Sequence, residues 1–302
     1  MIRSETLTRF EDYIRYERRF SEHTVESYSR DVLQFTDFLD LQYGSIAFGK
    51  VTHHHIRSWV VSLLQSGRKP ASLRRKISSI SHFFKWLKRE KMVEVNPVIR
   101  VQLPKIPARL PKSLPENIVN RLWEDLAGTE ADYPLLRDRT LIALLDGSGL
   151  RRSEVIQLTW GDFDPGRKTL KVFGKGRKHR IVPLNDALDK CLQELKNKVQ
   201  STGGSADDIQ IILMDNGKPC YPKYVHNRVV SLLGTVTTAE KRSPHVLRHS
   251  MATHLMDHGA ELNAVKGLLG HASLAATQIY THNSIARLKE VYHQAHPKSM
   301  KS

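Results

Sequence analysis

Apolar residues recur at steps of three and four through the first hundred positions, with no convincing alternation of period two, so this part of the chain reads as helical throughout. Leu7, Phe10 and Ile14 mark a first helix. Val25, Tyr28, Val32, Phe35 and Leu39 mark a second, with Ser21 placed to cap its free amides. Thr52 opens a third that turns Ile56, Trp59, Val60 and Leu63 inward and stops near Gly67. Pro70, whose φ is already helical, opens a fourth that carries Leu73, Ile77, Ile80, Phe84 and Leu87. Four such stripes predict a small bundle.

Between Asn96 and Pro115 the periodicity lapses and prolines fall at 97, 104, 107, 111 and 115, with Lys105, Arg109 and Lys112 among them. Proline removes amide donors and blocks helix, which predicts a semi-rigid, positively charged linker over 101–115 between domains at 1–100 and 116–302. Past it, Ile118, Leu122 and Leu126 mark one helix, and LIALLD at 141–146 a nearly continuous apolar one that ends at Gly147 and Gly149. GLRRSEVIQL then presents Arg151 just past the glycine turn, while Ser153 and Glu154 open a new helix. The stretch TLKVFGKGRKHRIVP, from Thr169 to Pro183, is the one strong β signal: Leu170, Val172, Ile181 and Val182 flank a turn that carries Lys175.

Asn185 caps a helix through Leu188, Leu192 and Leu195; a loop near 201–206, a short strand IQIIL at 209–213 and a helix through Val225, Val229 and Leu232 follow. Ser243 and Pro244 start a helix with Leu247, Met251 and Leu255 as its buried stripe, and Gly259 ends it. Leu262 to Leu269 forms a shorter helix stopped by Gly270. His271 then hangs at a loop. Ser273 caps a helix bearing Ile279 and Tyr280, and Ile285, Leu288 and Val291 line a tail helix that either docks back or packs on a neighbour.

Charge sharpens this outline. In 302 residues there are 47 Lys and Arg against 31 Asp and Glu, a net charge of +16, which calls for a polyanionic partner. Residues 1–107 hold 19 basic against 11 acidic side chains and the remainder 28 against 20, so both halves carry +8 and both should touch that partner. Nucleic acid is favoured over membrane, since no apolar run approaches about 18 residues and no secretory leader is visible. A soluble intracellular protein is expected. Cys191 and Cys220 fit neither a disulfide framework nor a metal spacing, and the run His53, His54, His55 decorates a helix start rather than a zinc site.

The fourth helix has an unusual outer face. From Arg68 to Lys91 there are nine Lys and Arg and one acid, Glu90. Arg74, Arg75 and Lys85 alternate with Ser78, Ser79 and His82, a mix that suits a helix lying along DNA, with cations on phosphates and short polar groups near base edges. A merely solvated basic face would be expected to carry acids at salt-pair spacing.

The candidate chemistry gathers around Ser243 to Tyr280. His245 and Arg248 stand three apart on one helix face, His271 and Tyr280 follow, and Arg151 and Lys175 lie upstream. Cations converging on a phenol suit attack by tyrosine on a phosphodiester, because the pentacoordinate transition state gathers negative charge on its non-bridging oxygens. Singly, each residue has a plainer account: HxxR as a surface turn, Tyr280 as a half-buried ring, GKG as a solvated turn, Arg151 as an ion pair with Glu154. Their joint occurrence points to chemistry. No GxxxxGK[ST] is present, which argues against nucleotide hydrolysis.

Together, Arg151 in GLRRSE, Lys175 in GKGRKHR, His245 and Arg248 in HVLRHSMATHL, His271 in LLGHASL and Tyr280 in TQIYTH resemble the motifs of the tyrosine recombinase family, most of all its bacterial Xer-type members. The likeness extends to the amino-terminal module and to the tail ARLKEVYHQAHP. Two departures are slight: Arg152 stands where a small or apolar residue is common, and Ser250-Met251 where Ser-Phe is frequent.

The resemblance implies a mainly α fold, with a SAM-like four-helix core-binding domain and an α-rich catalytic domain holding a small antiparallel β-sheet. It implies that Tyr280 attacks a scissile phosphate to give a 3′-phosphotyrosyl link and a free 5′-hydroxyl. Arg151 and Arg248 would clamp the non-bridging oxygens, Lys175 protonate the leaving oxygen, His245 move the tyrosine proton, His271 donate to the phosphoryl group, and Glu154 orient the arginines. It implies no metal, cofactor or ATP, double-stranded DNA as partner, a homo- or hetero-tetramer on two duplexes, and a cytoplasmic, DNA-associated place in a bacterium. Chromosome dimer resolution, integration and inversion all fit this architecture. Strand relaxation of the type IB topoisomerase kind is the rival within the same chemistry. An inert architectural binder would need one of the six positions lost, and all six are present.

Overall fold

The apolar stripes become helices in the computed structural model, which describes residues 2–102, 113–128, 132–174, 179–201 and 207–270. The chain divides into two compact units, Met1–Arg109 and Leu110–Ser302.

In the first unit, α1 (Ile2–Asp12), α2 (Glu22–Tyr43), α3 (His53–Gln65) and α4 (Pro70–Arg89) enclose Phe10, Val25, Val32, Phe35, Leu39, Ile56, Trp59, Ile80 and Leu87, all under 3 % exposed. Ser21 caps α2 by accepting from Thr24 N at 3.4 Å. At the start of α3, His55 Nδ1 accepts from Thr52 N at 3.0 Å, so the last histidine of the run serves as a helix cap. The stripe on α4 is wider than its spacing predicts: Phe83 and Trp86 are also buried, and they pack on Phe10 with ring centroids 5.1 and 5.5 Å away.

A buried carboxylate ties α4 to α2. Asp31, wholly inaccessible, accepts from Arg75 Nη2, Lys76 Nζ and Ser79 Oγ, each at 2.9 Å. This corrects the expectation for Ser79. It is 0 % exposed with its hydroxyl turned to Asp31, so it has no surface to offer DNA. Its position among cations suggested an outer face, whereas the buried acid on α2 draws Ser79 and Lys76 inward, because a charge taken out of water needs paired, hydrogen-bonded company.

The second unit begins before residue 116. Leu114 is buried, its N donates to Ser250 Oγ at 2.7 Å, and its carbonyl bonds His254 Nε2 at 2.9 Å, so the expected linker ends docked on a later helix. There follow α5 (Glu116–Asp125) and α6 (Tyr133–Ile142), which continues as a π-helical turn over Ala143–Gly147. This stretch is LIALLD, buried as its composition predicts. Next come α7 (Arg152–Gln157) and a three-stranded antiparallel meander of β1 (Phe163–Asp164), β2 (Thr169–Phe173) and β3 (His179–Pro183). Register pairs Leu170 with Val182 and Val172 with Arg180.

Beyond the sheet, α8 (Asp186–Ser201) is capped by Asn185 Oδ1 on Leu188 N at 2.8 Å, and α9 (Pro222–Val236) buries Leu233 rather than the expected Leu232. The strand expected at 209–213 is reduced to isolated bridges, Thr159 with Gln210 and Leu213 with Pro219. Finally α10 (Pro244–Asp257) and α11 (Leu262–Leu269) lie where Ser243-Pro244, Gly259 and Gly270 predict. The third carboxy-terminal helix and the tail helix lie outside the described residues. Among the described residues, no helix is long and apolar enough to cross a membrane.

Candidate active site

Two glycines with left-handed backbone frame the site. Gly149 (φ +59°) follows the π turn, and a Cβ there would lie 2.8 Å from Leu269 Cδ2. Only glycine allows this turn to meet α11 so closely. Gly270 (φ +63°) caps α11, with Arg180 Cδ 3.1 Å from where its Cβ would be.

Three arginines meet on this frame. Arg248, on the second turn of α10 and 7 % exposed, donates from Nη1 to Gly149 O and from Nη2 to Leu269 O at 2.7 Å. Arg151, at the start of α7, donates from Nη2 to Gly270 O at 3.3 Å, and Arg180, on β3, donates from Nε to Leu268 O at 3.3 Å. The last two carbonyls of α11 and that of its cap therefore each accept from a different guanidinium. Helix geometry leaves such carbonyls without partners of their own, and the helix dipole makes that end negative.

Glu154 sits beneath them, 5 % exposed. Its Oε2 accepts from Arg151 N at 2.8 Å, closing the first turn of α7 as a capping-box acid does. Its Oε1 takes Arg151 Nη1 at 2.8 Å, and Arg180 binds both oxygens, Nη1 at 2.8 Å and Nη2 at 2.9 Å. Burial works to raise this carboxyl, yet the hydrogen bonds and charge of Arg180, joined by those of Arg151, outweigh it and hold its pKa below the usual carboxylate value.

The remaining electrostatics favour an anion. Burial, then repulsion from Arg151 and Arg180, pushes the Arg248 guanidinium down to about 10, with Glu154 pulling the other way. His245, exposed on the first turn of α10, is lowered below 6.5 by desolvation and then by Arg152, Arg248, Arg151 and His226. A pocket that crowds like charge this far is one that a phosphate oxygen would relax.

Arg151, Glu154, His245 and Arg248 thus come together. Lys175, His271 and Tyr280 lie outside the described residues; β2 and β3 pair as far as Phe173 with His179, on either side of Lys175 in sequence, and the cap of α11, Gly270, immediately precedes His271. On the first unit, Arg74, Arg75, Ser78 and Lys85 are exposed on α4. Arg75 is shared with Asp31, while His82 Nδ1 bonds Ser78 O at 2.8 Å and its ring packs on Tyr28. Sequence reasoning missed Arg180. The signal was there: alternation along HRIVP places it on the same face as Val182, opposite Val172.

A mainly helical unit with a small antiparallel sheet and three arginines gathered at the end of α11 suits an enzyme that acts on a phosphodiester. The phage integrase family profile matches residues 112–287, and the profile of the phage integrase N-terminal SAM-like domain matches 7–91. The chain belongs to the phage integrase family, the tyrosine recombinases. The tyrosine recombinase XerC of Chlorobaculum parvum is 34% identical over 98% of this chain and 95% of that protein. XerC of Halalkalibacterium halodurans is 35% identical, covering 95% of each. The crystal structure of the XerH site-specific recombinase bound to palindromic difH substrate shares the fold, with a TM-score of 0.69 at 22% identity over 94% of this chain and 83% of that one. These likenesses support site-specific recombination and favour neither strand relaxation nor an inert architectural role.

Proposed function

We propose that this recombinase cuts and rejoins double-stranded DNA with Tyr280 as nucleophile, Arg151 and Arg248 gripping the scissile phosphate, Lys175 protonating the leaving 5′-oxygen, and His271 donating to the phosphoryl group. The convergence of Arg151 and Arg248 on the end of α11, one residue before His271, carries this reading. Guanidinium groups held by backbone carbonyls keep further donors free and need no reorganisation to meet developing charge. Glu154 orients Arg151. The 3′-phosphotyrosyl intermediate conserves the phosphoester bond, so neither ATP nor a metal cofactor is called for. Two duplexes require four such sites, hence a homo- or hetero-tetramer on DNA, working in the cytoplasm. The test is a duplex nicked beside the cleavage position, so that the cut is trapped: incubated with protein in EDTA, it should yield covalent adducts.

His245 is assigned the tyrosine proton. With its pKa held below 6.5, it is neutral at pH 7 and able to accept. The single-turnover cleavage rate is therefore expected to fall on the acid side with a midpoint below 6.5, and His245→Gln should remove that limb. Stability shifts the same way: below 6.5 the unfolded chain takes up this proton first, so folding weakens as pH falls. An acid limb with its midpoint above 6.5, or one that persists in His245→Gln, would exclude His245 as the acceptor.

The exposed face of α4 is assigned to DNA phosphates, through Arg74, Arg75 and Lys85, with Ser78 and His82 toward the bases. Arg74 and Arg75 should separate cleanly. Arg74→Ala is expected to weaken binding and reduce the slope of log affinity against log salt by about 1, without changing thermal stability. Arg75→Ala should also lower the melting temperature, because it strips Asp31 of a partner. Equal melting shifts in the two variants, measured by calorimetry, would contradict the assignment.

A further inference from the structure

Arg180 has no part in the functional reading so far, yet it is the most fully engaged side chain of the cluster. It is 6 % exposed on β3, directly opposite the buried Val172, and cannot reach a DNA backbone. Both of its Nη atoms are spent on Glu154 and its Nε on Leu268 O, while its Cδ packs under Gly270. Arg151, by contrast, keeps 30% of its side chain exposed and has a single side-chain bond to Glu154. Without Arg180 the buried carboxylate would have only Arg151 within bonding distance, since Arg248 Nη1 stands 4.0 Å from it. A carboxylate in so dry a place would then claim Arg151 for itself, and the charge offered to a phosphate would shrink accordingly.

We propose that Arg180 is a positioning residue of the cleavage reaction: it neutralises Glu154 so that Arg151 keeps its charge for the scissile phosphate, and it fixes the end of α11 from which His271 departs. This rests on the reading of Arg151 as a phosphate ligand. The two functions share one guanidinium, because the group that satisfies Glu154 also holds Leu268 O.

The test compares full-length variants at saturating protein on the nicked duplex, with rates taken per folded, DNA-bound molecule. Arg180→Met should form adducts about 100-fold more slowly while DNA affinity changes by less than about threefold, the pattern of a contact felt in the transition state. Arg137→Met is the matched control. It removes another buried arginine, 1 % exposed and paired with Asp138 and Asp215, and should lower stability without slowing bound enzyme. Arg180→Met combined with Glu154→Gln should recover at least about tenfold of the lost rate, since the competing charge is gone.

Arg180→Lys, which keeps the cation but cannot span Glu154 and Leu268 O together, should be slowed less than about 50-fold, and it carries the test if the Met variant does not fold. Arg151→Met separates the two levels of the argument. If it is slow and Arg180→Met is fast, the inference on Arg180 fails alone; if both are fast, the phosphate-ligand reading of Arg151 fails and the inference with it. A double variant no faster than Arg180→Met, or a folded Lys variant slowed about 50-fold or more, would overturn the charge argument.

Discussion

Tyr280→Phe is expected to abolish covalent attachment to the nicked duplex, a loss of at least about 10³-fold, while leaving DNA affinity within about twofold. Phenylalanine keeps the ring but lacks the oxygen that, in the proposed reaction, attacks the phosphate. A phenol with an ordinary pKa of about 10 is mostly protonated at neutral pH, so attack needs both a proton acceptor and stabilisation of the charge that builds on phosphorus. In the proposed reaction the arginine cluster at the end of α11 supplies that stabilisation. Adduct formation is the direct measurement, resolved by denaturing electrophoresis of labelled DNA. Adducts that persist in the Phe variant would move the nucleophile to another residue.

Arg248→Lys is expected to slow cleavage about 10² to 10³-fold at saturating protein, with a smaller effect on binding. Arg248 spans two carbonyls from segments far apart in sequence, Gly149 O and Leu269 O, and still has donors left over. An ammonium is a point charge on a flexible stem; it can satisfy one carbonyl or the phosphate but cannot present a planar pair of donors to both. The variant should also melt at lower temperature, because one buried carbonyl loses its partner. Recovery of full single-turnover rate with lysine would show that charge alone suffices at this position and that the fork geometry is unimportant.

Much of the helical frame was legible. Stripes such as Val25–Val32–Phe35–Leu39 and Leu247–Met251–Leu255 announce themselves because burial on one face of a helix repeats every three or four residues, and Ser21, Pro70, Pro244 and Gly270 mark helix ends by local backbone chemistry alone. What escaped depends on partners distant in sequence. Ser79 and Lys76 read as surface residues until Asp31, 48 and 45 positions away, claims them. Arg180 went unremarked: alternation along HRIVP puts it beside Val182, but the Glu154 that makes a buried cation tolerable there lies 26 residues upstream. IQIIL has the composition of a strand, but only Gln210 and Leu213 find bridge partners in it. Within the site, spacing singled out Arg151, His245 and Arg248, whereas the carbonyls that hold the arginines could not be foreseen, because every residue carries one.

The seats of the arginines also bear on when the enzyme first becomes competent. Gly270 O lies 119 residues beyond the Arg151 that it receives, and Leu268 O lies 88 beyond Arg180. Contacts of such long range close late, both during synthesis on the ribosome and during refolding. A nascent polypeptide that has emerged only as far as α10 therefore holds Arg151, Arg180 and Arg248 without the α11 carbonyls that complete their seats.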